Sequence, residues 1–181
     1  MHTPTVALIN SFASDALKQK NPLQFLQKLG PLHDRWHSTP FSRRTIGFLL
    51  FHWHLVAAFK HCHADKVWTS GVQPFTPANW TAFGWPYNVP DNVASGDLNS
   101  LAVFSSAVER WHNEAHHAVM IATGEDLMNP ATNILLRNFW RLHYFIYARF
   151  LEALAAYDGS GSVKQKIARL EKNHESRLGD I

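Results

Sequence analysis

An all-helical fold is the class that this sequence predicts, and three observations predict it. Apolar residues recur at intervals of three and four, which is helical spacing. No segment alternates apolar and polar residues strongly enough to indicate a strand. Capping residues and prolines stand where helices would begin. With 181 residues, of which 46% are hydrophobic, the chain can bury one core. We therefore expect an antiparallel helical bundle.

The first half of the chain contains three segments with helical spacing. Residues 6–17 form the first segment. The second begins at Asn21-Pro22, because asparagine caps a helix and proline suits its first turn, and it is predicted to end at Gly30. Thr39-Pro40 repeats the start signal before a helix over residues 42–65. That helix has the widest apolar face, so we expect it to be central.

The second half predicts two long helices and one short charged helix. Asp97 caps a helix over about 98–123, which Gly124 ends. Asn129-Pro130 starts the next helix, over about 131–157. Residues 159–162 indicate a hinge, so we predict a helical domain over 1–158 and a hinge with a charged C-terminal helix or tail over 159–181. The segment 163–178 is either a peripheral or partner-binding helix or a frayed tail.

Residues 67–96 are predicted to form a long irregular loop. Four prolines and three glycines exclude a long helix there, and the segment is rich in tryptophan and phenylalanine. Long loops within a compact domain are usually functional or disordered, and the aromatic content argues against disorder. Two interpretations stay open. The loop is either the wall of a pocket for a ring-shaped substrate or a hydrophobic lid on a small helical core.

Composition excludes several classes of protein. Charged residues make up only 17% and the net charge is +3, with no long basic run, so neither disorder nor nucleic-acid binding is indicated. A single cysteine excludes an internal disulfide framework. No apolar stretch reaches the roughly 20 residues that span a bilayer, and the N-terminus does not resemble a signal peptide. We expect a cytoplasmic protein that binds neither nucleic acid nor membranes.

Histidines occupy shared helix faces in the second half of the chain. His112 and His116 are four residues apart, which places both side chains on one face of the 98–123 helix. Apolar residues share that face, so it should point inward. His143 lies in line with the apolar residues of the next helix. Because a short connection joins the two helices, these three imidazoles are predicted to form a metal site.

The first half offers a similar set. His33 and His37 have the same spacing, and His52 is in line with the apolar face of the central helix. This set is less regular, because the predicted end at Gly30 would place a helix break beside His33 and His37. An alternative for both sets is structural: in a chain with 12 histidines, pairs at this spacing also occur as individually satisfied core residues.

Several motifs resemble the type-3 copper proteins, which are the tyrosinases, catechol oxidases and molluscan haemocyanins. The run from Val108 to His116 resembles the copper B signature, in which an E…HNxxH run supplies two ligands. The segment from Phe139 to His143 is similar to the F-W-L-H-H that follows, whose last histidine is the third ligand. Phe48 to His52 resembles F-L-P-W-H of copper A, and Trp36 to Phe41 is similar to H-G-x-P-F. The similarity covers residues 33–150.

The resemblance implies the ligands and the residues beside them. It assigns copper ligands to His33, His37, His52, His112, His116 and His143, with His33 replacing a ligand whose usual position holds Arg43. Leu142, Trp53 and Tyr147 stand where the family has histidine, arginine and aspartate. In tyrosinases the asparagine of the HN pair helps a glutamate to hold a water that deprotonates phenols. Asn113 keeps that asparagine, and Glu109, at a different spacing, is the candidate glutamate.

The implied fold is a tyrosinase-like helical core, and the implied function is oxidation by a dinuclear copper centre. Neutral imidazoles suit copper, and the predicted set contains no carboxylate or thiolate. The expected cofactors are two copper ions, and the expected reaction is oxidation or monooxygenation of phenols, catechols or aminophenols. Expected partners are dioxygen and an aromatic small molecule, with a second copy of the chain or a copper chaperone as the protein partner.

Two alternatives stay open. One is a non-catalytic copper or dioxygen-binding module with a degraded copper A site. The other is a helical interaction protein whose histidines are structural.

Overall fold

The computed structural model describes residues 20–39, 46–85 and 93–179, together with Ser14 and Lys18, and it describes no side chains beyond residue 174. Helices α1 to α6 cover Pro22–His37, Gly47–His61, Pro77–Ala82, Leu98–Thr123, Arg137–Tyr157 and Val163–Gly179, and short 3₁₀ turns lie at Ala64–Val67 and Asn133–Leu135. No strand occurs within these ranges, so the all-α prediction is confirmed. Apart from Ser14, the predicted segment 6–17 lies outside the described residues, as does the start of the predicted 42–65 helix.

Helix α1 continues through Gly30 and Pro31, so the predicted end at Gly30 and the break beside the histidines are wrong. Asn21 caps the helix as expected, accepting hydrogen bonds from two backbone amides. Proline disfavours helical geometry in the residue before it partly by contact with that residue's Cβ, and Gly30 has none. A Cβ at Gly30 would also lie 2.1 Å from the carbonyl oxygen of Ala131. Glycine therefore allows α1 to continue and to approach the segment before α5 closely.

Helix α2 is the most apolar helix and is buried along most of its length. It ends at His61 rather than near residue 65, because His63 adopts a left-handed conformation with φ of 50° before the first 3₁₀ turn. Phe59 stacks on Trp140 of α5 at 3.8 Å between ring centroids. Phe51 stacks on Trp36 of α1 at 4.4 Å. These contacts place α2 between α1 and α5, which supports its predicted central position.

Helix α4 has the predicted bounds, whereas α5 begins later than predicted. Asp97 accepts a hydrogen bond from the Asn99 amide, and Gly124 ends α4 with φ of 74°. Asn129 caps a turn instead of a helix, accepting from the Ala131 amide through Oδ1 and from the Asn133 amide through its carbonyl. The chain is then extended at residue 136, and α5 starts at residue 137.

The predicted irregular loop 67–96 contains one short helix, α3. Thr76 and Asn79 form a reciprocal capping box that starts α3, a local signal that the loop prediction overlooked. Trp80 of α3 stacks on Phe145 of α5 at 3.7 Å, and the Trp111 indole donates a hydrogen bond to the Phe83 carbonyl. The described part of this segment thus packs as a lid on α4 and α5. Residues 86–92 lie outside the described residues.

Helix α6 is a packed helix rather than a frayed tail. Ile167 and Leu170 are buried in the same apolar core as the other helices. His54 of α2 and Glu171 approach to 2.6 Å, and Arg169 pairs with Asp158 before the helix. The division of the chain at residue 158 stays a prediction. Among the described helices, none combines the length and apolarity that crossing a bilayer requires.

Candidate metal centre

All six histidines predicted as ligands converge at one place in the core. They come from α1, α2, α4 and α5: His33, His37, His52, His112, His116 and His143. Five are at most 5% exposed, and His37 is half-buried. Ring centroids lie 4.5 Å apart for His33 and His37, and 4.2 Å for His112 and His116. The central pair, His52 and His143, lies at 5.2 Å and joins the two halves. We call these six residues the histidine cluster.

Two groups of three within the cluster bring their ring nitrogens together. In the first group, the ligand nitrogens of His112, His116 and His143 all lie within 4.8 Å of one another. This is the set predicted from the second half of the chain. The other group consists of His33, His52 and His143. The set predicted in the first half had His37 as its third member; here His143 belongs to both groups.

His37 contacts both halves of the cluster from the edge. Its Nε2 lies 3.0 Å from Nε2 of His33, and its ring lies 5.9 Å from that of His52 and 6.1 Å from that of His112. His37 is therefore placed beside the second group, although it is not a member of it.

Backbone carbonyls fix the tautomer of four of the imidazoles. Each of the four lies 2.7–2.8 Å from an oxygen that only accepts, so Nδ1 carries the hydrogen and donates it. The pairs are His33 with Pro130, His52 with Phe48, His116 with Leu127 and His143 with Phe139. In a neutral ring, Nε2 then has a free lone pair. Metal-binding histidines commonly have this arrangement, in which the second ring nitrogen donates to a carbonyl.

The Nε2 atoms that these tautomers leave as acceptors either face another Nε2 or have no hydrogen-bond partner among the described residues. Nε2 of His112 and Nε2 of His143 are 3.2 Å apart, and His112 Nδ1 faces the Asn113 amide oxygen, which leaves both Nε2 atoms as acceptors. The Nε2 atoms of His52 and His116 are buried and have no hydrogen-bond partner among the described residues. An unsatisfied buried polar atom costs about 1–3 kcal/mol.

A metal ion is what these nitrogens fit. Nitrogens that bind one ion tetrahedrally at about 2.0–2.1 Å lie about 3.3 Å from each other. The Nε2 separations of 3.0 and 3.2 Å on the two sides of the cluster are close to that value. A cation in each group would also satisfy a buried lone pair, that of His52 in one group and that of His116 in the other.

Burial keeps the five buried imidazoles of the histidine cluster neutral at physiological pH. Burial lowers the pKa of His33 to about 3, against the hydrogen bond to Pro130, which raises it. Burial likewise lowers the pKa of His116 to about 4. The pKa values of His52, His112 and His143 are well below the usual value, first because of burial and then because of neighbouring imidazoles. Unprotonated imidazole is the form that binds metals.

The segment between α4 and α5 orients one histidine from each half. The Leu127 carbonyl accepts from His116, and the Pro130 carbonyl accepts from His33. Asn133, which is buried, donates through Nδ2 to the same Leu127 carbonyl. Sequence reasoning missed this role and interpreted Asn129-Pro130 only as a helix start. A buried amide just after that turn was the available signal, but its partner could not be identified without the tertiary structure.

A cleft of about 340 Å³ reaches the histidine cluster from the surface. Its lining consists of Asp34, His37, Ser38, His112, Asn113, His116, Leu127, Met128, Pro130 and Asn133. None of these residues comes from the aromatic segment 67–96. The described part of that segment therefore matches the lid interpretation and does not form the wall of this cleft.

Of the two residues predicted to assist catalysis, one lines the cleft and the other does not. Asn113 is exposed, lines the cleft and places its amide oxygen 3.2 Å from Nδ1 of His112. Glu109 is half-buried one helical turn before His112, and it is not among the residues that line the cleft.

Comparisons of the chain with protein-family models, curated proteins and solved structures found no match. The resemblance to type-3 copper proteins therefore depends on the residues themselves.

Proposed function

We propose that the histidine cluster is a dinuclear copper centre and that the protein uses dioxygen to oxidise phenols, catechols or aminophenols. The observation that carries this proposal is the convergence of six imidazoles, five of them buried, from four helices. In four of them a hydrogen bond to a backbone carbonyl fixes the tautomer and leaves a free lone pair on Nε2. A structural role would need a partner for each buried nitrogen, and two have none among the described residues.

The donor set favours copper over other metals. Both groups contain only imidazole nitrogen, whereas calcium and magnesium prefer oxygen ligands. Among divalent first-row metals, nitrogen sites bind copper most tightly. Zinc also accepts three imidazoles, so metal analysis must compare zinc with copper.

Six ligands suffice for two ions with three each. His112, His116 and His143 would hold one ion, and His33, His37 and His52 would hold the other, with His37 moving in from the edge. The bound pair supplies reversible one-electron chemistry toward dioxygen. The chain orients two of the ligands through the carbonyls of Leu127 and Pro130, and burial in the core keeps five of the six imidazoles away from bulk water.

The overall reaction balances with dioxygen as the oxidant. Two catechols each lose two electrons and two protons to become quinones, and one dioxygen is reduced to two waters. A monophenol instead gains one oxygen atom and is oxidised to the quinone, and the other oxygen atom leaves as water. The ring would enter through the cleft toward His112 and His116. Asn113, which lines the cleft, is the candidate residue for holding a phenol-deprotonating water, whereas Glu109, the other predicted residue, is not among the lining residues.

Metal analysis tests this proposal directly. The protein, as isolated and after loading with copper or zinc, should bind about two coppers per chain and gain thermal stability, since a metal that binds only the folded state stabilises it. The loaded protein should show a near-ultraviolet band under air and consume oxygen with 4-methylcatechol. Stoichiometric binding of zinc but not copper, or indifference of the melting temperature to both metals, would contradict the proposal.

One observation favours a second candidate, a non-catalytic module that binds a single ion. Because His143 belongs to both three-nitrogen groups, the groups as they stand cannot be filled together. A metal content near one per chain, with no oxygen uptake, would support this alternative.

A further inference from the structure

The cleft that reaches the histidine cluster has one charged side chain among its described lining residues. Asp34 lies on α1, three residues before His37, and it is half-buried. Its carboxylate makes no hydrogen bond or ion pair with any described residue, although Arg35 and Lys28 are on the same helix. The carboxylate is thus available to a molecule that enters the cleft.

The described lining contains no lysine, arginine or further acidic residue. Ser38, Asn113 and Asn133 add oxygen acceptors, and Asn133 Oδ1 is buried without a hydrogen-bond partner. The described lining therefore combines one carboxylate with several hydrogen-bond acceptors and has no lysine or arginine, which favours a ligand that is positively charged and donates hydrogen bonds.

Burial sets the orientation of such a ligand. Asp34 is half-buried and Ser38 is exposed, so they lie toward the mouth, whereas His112 and His116 are at most 5% exposed and lie at the base. A volume of about 340 Å³ is at the lower end of the range for small-molecule sites, which suits one aromatic ring with a short chain.

We propose that Asp34 selects phenols or catechols that carry a protonated amine on a short side chain. This inference rests on the proposed function and specifies its substrate class. The ammonium group pairs with the Asp34 carboxylate near the mouth, and the hydroxylated ring points toward His112 and His116. A ligand whose side chain carries a carboxylate is repelled by the charge of Asp34. A ligand with a neutral side chain binds without the ion pair.

Binding and turnover of three probes test the inference separately from the function. The probes are tyramine, 4-ethylphenol and 3-(4-hydroxyphenyl)propionate, which differ in the charge of the side chain. Dissociation constants are measured by NMR titration of the metal-free protein, and kcat/KM by oxygen uptake of the copper-loaded protein. Tyramine should bind most tightly and the propionate most weakly, and kcat/KM should follow the same order.

Two variants locate the effect at Asp34. Asp34→Asn should reduce the preference for tyramine over 4-ethylphenol by about tenfold to a hundredfold, the usual contribution of a charged hydrogen bond. Asp34→Lys should reverse the order in favour of the propionate. Asp65→Asn, which removes a half-buried carboxylate outside the cleft lining, is the matched control and should keep the wild-type preference.

The outcomes are distinguishable. An unchanged preference in both Asp34 variants, equal or undetectable binding of all three probes, or loss of copper from Asp34→Asn would overturn the inference; the last result would make Asp34 a ligand. Selective tyramine binding without oxidation of any probe would support the role of Asp34 and contradict the proposed oxidase function.

Discussion

The two halves of the histidine cluster are built differently. His112, His116 and His143 come from two long uninterrupted helices, and their ligand nitrogens form a complete group. In the other half, His33 and His37 come from a helix that contains Gly30-Pro31. There His33 and His52 group with His143, and His37 remains at the edge.

This difference shows that one half is set by local helical geometry and the other by how helices pack. Spacing of four residues along α4 is sufficient to pair two imidazoles, and the short connection to α5 adds the third. The placement of His33 depends on the approach of α1 to residue 131, which Gly30 permits. His143 at the centre makes the halves interdependent.

The largest expected effect comes from removing that central residue. His143→Ala should lower metal binding from about two ions per chain to about one and reduce oxidation at least a thousandfold, because the His112 group loses a ligand while His33, His37 and His52 keep the other ion. His116→Ala should retain one ion. His117→Ala, on the exposed side of α4, is the control and should bind two. Metal analysis with circular dichroism checks the contents and the fold; loss of both ions in His143→Ala, with one ion kept in His116→Ala, would contradict the assignment and show that His143 is also needed for the second ion.

Low pH should destabilise the metal-free protein through buried histidines in both halves of the cluster. The pKa of His33 is about 3 and that of His116 about 4 in the folded protein, whereas unfolded histidine titrates near 6.5. Below pH 6.5 the unfolded chain therefore binds more protons, and the free energy of unfolding falls as pH falls. At pH 5 the loss is about 2 kcal/mol for each residue.

Urea denaturation of the metal-free protein between pH 7.5 and 5 measures this effect. His33→Leu and His116→Leu should each reduce the dependence on pH by about one proton, which would assign one contribution to each half. A free energy of unfolding that stays constant over this pH range would be inconsistent with neutral buried imidazoles in both halves of the cluster.

The smallest expected effect concerns the segment that links the halves. Asn133→Ala removes the donor to the Leu127 carbonyl, so that carbonyl and His116 should be held less firmly. Mutation of residues that support the ligands through hydrogen bonds usually lowers metal affinity about 10–100-fold. We therefore expect weaker copper binding, mainly at the His112 group. Competition with a chelator measures the change. Asn138→Ala, at an amide that pairs with Arg141 away from the cleft, is the control and should leave the affinity unchanged.

Local sequence signals determined the helical class, most helix positions and the pairing of His112 with His116. Caps, glycine stops and apolar periodicity act within a few residues, so Asp97 and Gly124 gave the bounds of α4. The same local rules failed at Gly30-Pro31, where glycine lets the helix continue past the proline, and at Asn129, which caps a turn.

Only the tertiary structure decided how the six histidines group, which carbonyls fix their tautomers, and that Asp34 lines the cleft. The ring of His33 is oriented by the hydrogen bond that it donates to the carbonyl of Pro130, 97 positions away. His143 reaches both halves of the cluster because α5 packs against α2. Such contacts depend on the relative position of whole helices, which is set by burial of the shared aromatic core and not by any short run of residues.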